Sequence, residues 1–124
     1  MALKEKCGIF GIFGNLNNPT DASRLVYYGL FTLQHRGQES SGIATSNGRK
    51  ISCYKDQGLV SHVYDEENLA KLKGHIAIGH NRYATFGRPD EDHAQPVFYG
   101  QNTLALAHNG NLPVVAKLRK FLKA

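Results

Sequence analysis

Apolar and polar positions along the chain fall into two periods. Residues 8–13, GIFGIF, are apolar throughout and predict a buried strand. Two asparagines and Pro19 make residues 14–20 turn chemistry. Beyond them Ala22, Val26, Leu30 and Leu33 recur on one helical face, so a helix is expected, capped by Thr20 or Asp21 and ending near His35, before Gly37. Residues 42–46 and 50–55 read as two strands joined through Ser46-Asn47-Gly48, a strong hairpin signal. Residues 58–64 read as a loop and 65–72 as a short helix with acidic residues in its first turn.

A strand is expected at 74–79, then a long polar loop at 82–92. Residues 97–99 and 103–108 read as strands around the turn Gly100-Gln101-Asn102. Asn111 or Leu112 would cap a last helix, with Pro113 in its first turn and Val114, Leu118 and Phe121 as its apolar stripe. The pattern has no repeat and no linker. It describes one α+β unit, with nothing after the last stripe to cover it.

Composition narrows the classes. The chain has 124 residues, 41% hydrophobic and 20% charged, the profile of a single globular domain. No apolar run approaches the ~18 residues needed to cross a membrane. Two cysteines, Cys7 and Cys53, make no disulfide framework, and residues 1–6 lack the apolar core of a secretion signal; together these point to a reducing cytoplasm. His75 and His80 lie five apart in a strand-like run, hence on opposite faces, and no metal site is expected. The net charge of +5 owes much to Lys117, Arg119, Lys120 and Lys123, which fit a solvated helix face better than a nucleic-acid surface.

Four segments carry the candidate chemistry: Cys7-Gly8, QHRGQESSG at 34–42, GHNRYAT at 79–85 and AHNGN at 107–111. Cys7 is the candidate nucleophile, since Cys53 lies mid-strand and reads as a small core residue. A free thiol has a pKa of about 8.5 and needs a base, whereas an α-amine titrates near 7.7–8.0. Loss of residues 1–6 would therefore give Cys7 its own base. Taken alone, Cys7 reads better as a buried cysteine at a strand start than as a nucleophile. The turn at Asn109-Gly110 offers a side-chain amide and a backbone N–H, the two donors of an oxyanion hole, or else an ordinary Asn-Gly turn. Arg82 offers a guanidinium fork matched to a carboxylate, and Thr85 a hydroxyl. Arg36 fits an interaction with the last carbonyls of the preceding helix as well as it fits a site.

As an ordered set, CGIFGIFG, YYGLFTLQHRGQESSGIA, GLVSHVY, GHIAIGHNRYATFG, AQPV and LALAHNGNL resemble the class II glutamine amidotransferase domain of the N-terminal-nucleophile hydrolases. LQHRGQES and HNRYAT are most similar to its phosphoribosyl-transferring branch. The resemblance implies a four-layer αββα sandwich, with residues 1–6 as a removable leader and 7–124 as the N-terminal portion of the domain. It implies Cys7 as nucleophile, Asn109 and Gly110 as oxyanion donors, and Arg82 with Thr85 on the α-carboxylate of glutamine.

The family's aspartate for the substrate α-amine, in an SD-E motif further on, is not in this sequence, nor is the phosphoribosyltransferase domain. The sequence thus reads as a portion of an enzyme that feeds ammonia from glutamine to phosphoribosyl pyrophosphate in the first step of purine biosynthesis. The segment itself would need no cofactor; magnesium and homo-oligomer formation are expected of the complete enzyme. No nucleic-acid or membrane partner is expected. The competing reading is a truncated, non-catalytic relative that binds a partner.

Overall fold

The computed structural model describes residues 7–15, 21–83, 93–110 and 115–123. Strand β1 (Gly8–Phe13) opens the fold and helix α1 (Ala22–Thr32) follows. Asp21 caps α1, its carboxylate accepting from the Arg24 N–H, and a short 3-10 turn at Gln34–Arg36 ends the element. Strands β2 (Ser40–Ser46) and β3 (Ile51–Gln57) form the expected hairpin. In its turn the Asn47 side chain accepts from the N–H groups of Arg49 and Lys50.

Residues 58–64 hold a helical turn, α2 (Val60–Val63), where a loop is expected from the sequence. Gln34 explains it: its side-chain oxygen accepts from the Val60 N–H at 2.7 Å, a cap supplied from 26 residues away. Helix α3 (Glu66–Lys71) carries a complete capping box between Asp65 and Asn68. Strand β4 (Ile76–Arg82) runs further than the hydrophobic pattern marks and takes in His80, Asn81 and Arg82. Strands β5 (Val97–Tyr99) and β6 (Leu104–Leu106) form a second small sheet, and α4 (Ala116–Leu122) ends the described chain. Pro113, Val114 and the two expected caps Asn111 and Leu112 lie outside the described residues. On α4, Leu118 and Phe121 are exposed, as are Lys117, Arg119, Lys120 and Lys123.

The main sheet is antiparallel, in the order β1-β4-β2-β3. One face packs on the helices through Val26, Leu30, Ile43, Val60, Leu69 and Leu72. Burying such side chains supplies about 1.5–3 kcal/mol each. Glycines set the closeness of that layer: Gly29 of α1 lies against the Phe10 ring, and Gly79 of β4 against Val26 and Leu30.

The opposite face carries the segment at 94–99. There Lys55 donates to the carbonyls of Ala94 and Pro96 and sits over the Phe98 ring. Helices, main sheet and second sheet supply three layers of the expected α+β sandwich. β1 is buried on the helix side only: Ile9, Gly11 and Phe13 face the other way, and Phe13 is 83% exposed. The all-apolar run hides a two-sided strand.

A buried polar network fixes the site end of β4. Asn81 donates to the Leu30 carbonyl at 2.8 Å and accepts from the Ser41 hydroxyl at 2.9 Å, and Ser41 meets the Tyr64 hydroxyl at 3.0 Å. All three side chains are buried, so the network holds only if every member is satisfied.

Candidate active site

Register brings the first candidate pair together. Gly8 lies opposite Asn81 in the β1–β4 ladder, so Cys7 and Arg82 come one step further along, at the same sheet end. Arg82 lies on the face turned away from the helices, with Ser40 opposite it on β2. Arg36 pins the Cys7 backbone twice: its carbonyl accepts from the Cys7 N–H at 2.9 Å, and its Nε donates to the Cys7 carbonyl at 2.7 Å. Cys7 Sγ accepts from the Tyr83 N–H at 3.4 Å. Arg36 therefore has a role beyond the helix end, and the QHRG segment is the signal that marks it.

Arg82 closes β4 instead of opening a loop. Its Nη1 lies 3.5 Å from Glu39 Oε1, with side-chain exposures of only 18% and 10%. Glu39 Oε2 is buried with no partner among the described residues. Gly37 makes this corner possible, because its Cα faces the Asn81 and Arg82 backbone so closely that a Cβ would lie 2.7 Å from the Arg82 carbonyl carbon. Neither Glu39 nor Gly37 is a candidate on sequence grounds, though both lie in the segment singled out there.

The AHNGN turn arrives from the second sheet. Asn109 Nδ2 donates to the Cys7 carbonyl at 3.4 Å, across 102 residues of chain. Gly110 follows at φ 147°, a conformation that side chains rarely adopt. Cys7, Arg82, Asn109 and Gly110 are thus gathered at one sheet end, while Thr85 lies outside the described residues. Among the described residues no group of three metal-ligating side chains occurs, and no helix is long and apolar enough to cross a membrane.

Cys53 stands apart, mid-strand in β3. Burial pushes its thiol up to about 11. At pH 8 only about one Cys53 thiol in a thousand is ionised, so alkylation of the folded protein should mark Cys7 and spare Cys53 until the pH nears 11 or the chain unfolds. Equal labelling of both at pH 8 would contradict the burial of Cys53.

No protein-family profile matches the chain. Among curated proteins it is 49% identical over 120 residues to an amidophosphoribosyltransferase of Mycobacterium tuberculosis, covering 93% of this chain and 22% of the relative. It is 47% identical over 124 residues to the amidophosphoribosyltransferase of Bacillus subtilis, covering 98% and 25%. A solved structure described as the allosteric regulatory enzyme of purine biosynthesis superposes with a TM-score of 0.78 at 46% identity, over 93% of this chain and 24% of that one. The chain spans about a quarter of the length of the relatives it matches. The shared backbone bears out the α+β fold of the N-terminal-nucleophile type.

Proposed function

We infer that this chain, a homologue of the N-terminal quarter of amidophosphoribosyltransferases, is the part of such an enzyme that hydrolyses glutamine to glutamate and ammonia. The observation that carries the reading is the meeting of Asn109 with Cys7 across 102 residues, at the sheet end where Arg82 also terminates. A nucleophile and an oxyanion donor serve the amide chemistry, and a carboxylate-binding cation selects and orients glutamine as the substrate.

Residues 1–6 are removed, and the freed α-amine of Cys7 takes the thiol proton. The thiolate attacks the side-chain amide carbon of glutamine. Negative charge gathers on the carbonyl oxygen, where Asn109 Nδ2 and the Gly110 N–H donate to it. The protonated amine then gives its proton to the leaving nitrogen, the C–N bond breaks and ammonia departs. Water, activated by the same amine, cleaves the thioester to glutamate and restores the thiol. Arg82 holds the substrate α-carboxylate throughout, and a bond from the Thr85 hydroxyl to the same carboxylate is part of the proposal.

The complete protein would pass the ammonia to phosphoribosyl pyrophosphate, making 5-phosphoribosylamine in the first step of purine biosynthesis. Magnesium for that second reaction would be held outside this segment. A cytoplasmic homo-oligomer is the expected setting.

Glutamate release by the full-length protein tests the reading directly; absence of glutamine-dependent glutamate would sink it. Within it, Arg82→Ala should raise the glutamine KM about ten- to a hundredfold, the value of a lost charge-assisted contact, and Cys53→Ser should leave it unchanged. An unaltered KM in Arg82→Ala would make Arg82 a structural partner of Glu39 alone.

A further inference from the structure

The backbone of His108 is held on both sides, through the two peptide groups that flank its Cα. Its N–H donates to Gln95 Oε1 at 2.7 Å, and its carbonyl accepts from His80 Nε2 at 3.1 Å. His108 immediately precedes Asn109 and Gly110, so Gln95 on the peptide before its Cα and His80 on the peptide it shares with Asn109 together fix where the turn carrying both oxyanion donors begins.

We propose that His80 and Gln95 are positioning residues that clamp the Asn109–Gly110 turn over Cys7 and so set the geometry of the oxyanion hole. The inference rests on the glutamine-hydrolysis reading above and deepens it.

Both clamps are themselves anchored. His80 lies in β4, two residues before Arg82, and is 1% exposed. A carbonyl can only accept, so Nε2 must carry the proton. Nδ1 is then the unprotonated nitrogen, buried and without a partner among the described residues. A histidine in so dry a place, with one nitrogen idle, makes poor filling for a sheet interface; its one contact explains it. Burial lowers its pKa to about 4, so the neutral donor form persists at working pH.

Gln95 is fixed from the other side. Its neighbours Ala94 and Pro96 both offer carbonyls to the Lys55 ammonium, at 2.8 and 3.0 Å. Gly42 leaves the room for the strap to lie on the sheet, since any Cβ there would collide with the Gln95 carbonyl. The sequence carries this device as AQPV at 94–97 and the histidine of GHNRYAT, two segments whose other roles leave His80 and Gln95 unexplained.

The test uses four variants of the full-length protein. Gln95→Leu removes the acceptor at similar volume, and Gln95→Glu keeps an accepting oxygen. His80→Leu removes the donor, and His80→Gln brings an amide N–H to the same carbonyl. An oxyanion hole acts on the transition state, so both Leu variants should lose kcat for glutamine by roughly ten- to a hundredfold, with KM within about twofold. The Glu and Gln variants should recover most of the loss. Amide exchange at 108–110 should quicken in the Leu variants, while the amides of β2 and β4 stay protected.

Unchanged kcat in both Leu variants would overturn the proposal, as would a KM rise with kcat intact or faster exchange throughout the sheet. If the parent protein releases no glutamate, the functional reading fails. Exchange at 108–110 then still decides whether the clamp exists.

Discussion

Cys7→Ala should abolish glutamine hydrolysis in the full-length protein, by about ten-thousandfold or more, because no other group among the described residues stands ready to form the acyl intermediate. Cys53 lies mid-strand with its thiol held protonated by burial and cannot substitute. Synthesis driven by added ammonia should survive, since that step needs neither the thiolate nor the amine. The measurement is glutamate release beside ammonia-dependent product formation in one preparation. Equal loss of both would make Cys7 a structural residue.

The same preparation reports on the leader. An amine is a base only when it is free; in a peptide bond the nitrogen of Cys7 has no basicity to offer. Active protein should therefore have an intact mass that begins at Cys7. The backbone gives a second reason. Cys7 sits at φ 61°, a left-handed conformation that costs a residue with a Cβ of order 1 kcal/mol or more. That constraint exists only while residue 6 is attached. Full activity in protein that retains residues 1–6 would refute the amine as base.

Much of the fold is written in local pattern. Asp21 caps α1, as its position before a helical run announces, and α3 forms where the 65–72 pattern marks it, with Asp65 as its cap and not its first residue. The Asn47-Gly48 turn announces its hairpin. What escaped is non-local. The α2 turn is capped by Gln34 from 26 residues away, and no window along the chain contains that partnership. β4 extends through His80, Asn81 and Arg82 because a buried network with Ser41, Tyr64 and the Leu30 carbonyl satisfies the polar side chain of Asn81, and hydrophobic periodicity does not see satisfied polar groups.

The site divides the same way. Cys7, Arg82 and Asn109 are legible because each has chemistry of its own and a glycine-rich or strand-end setting. Glu39, Gly37, His80 and Gln95 act through another residue, by a 3.5 Å approach, by an absent side chain or by a grip on the backbone of His108. Only packing exposes roles of that kind.

Gly79→Val should be among the most damaging single changes to the fold, while Gly11→Val in the same sheet should be harmless. Both put a β-branched side chain into a strand, and both gain strand propensity and lose the excess flexibility of glycine. They differ in what the new atoms meet. At Gly79 a Cβ would press into Val26 and Leu30, which are fully buried in α1, so the helix must lift from the central strand. At Gly11 the nearest atoms among the described residues are the Ala77 carbonyl oxygen and Ile78 Cγ2, both at 3.8 Å, an ordinary contact. Overpacking of the first kind costs about 1–3 kcal/mol, and the rest of the valine adds to it here because its neighbours have no free volume. Since α1 also supplies the Leu30 carbonyl that holds Asn81, one residue before Arg82, lifting the helix should weaken glutamine binding as it lowers the melting temperature. Paired thermal melts and KM values for the two variants decide the matter. If Gly79→Val melts no lower than Gly11→Val, then α1 does not rest on β4 as closely as the glycine implies.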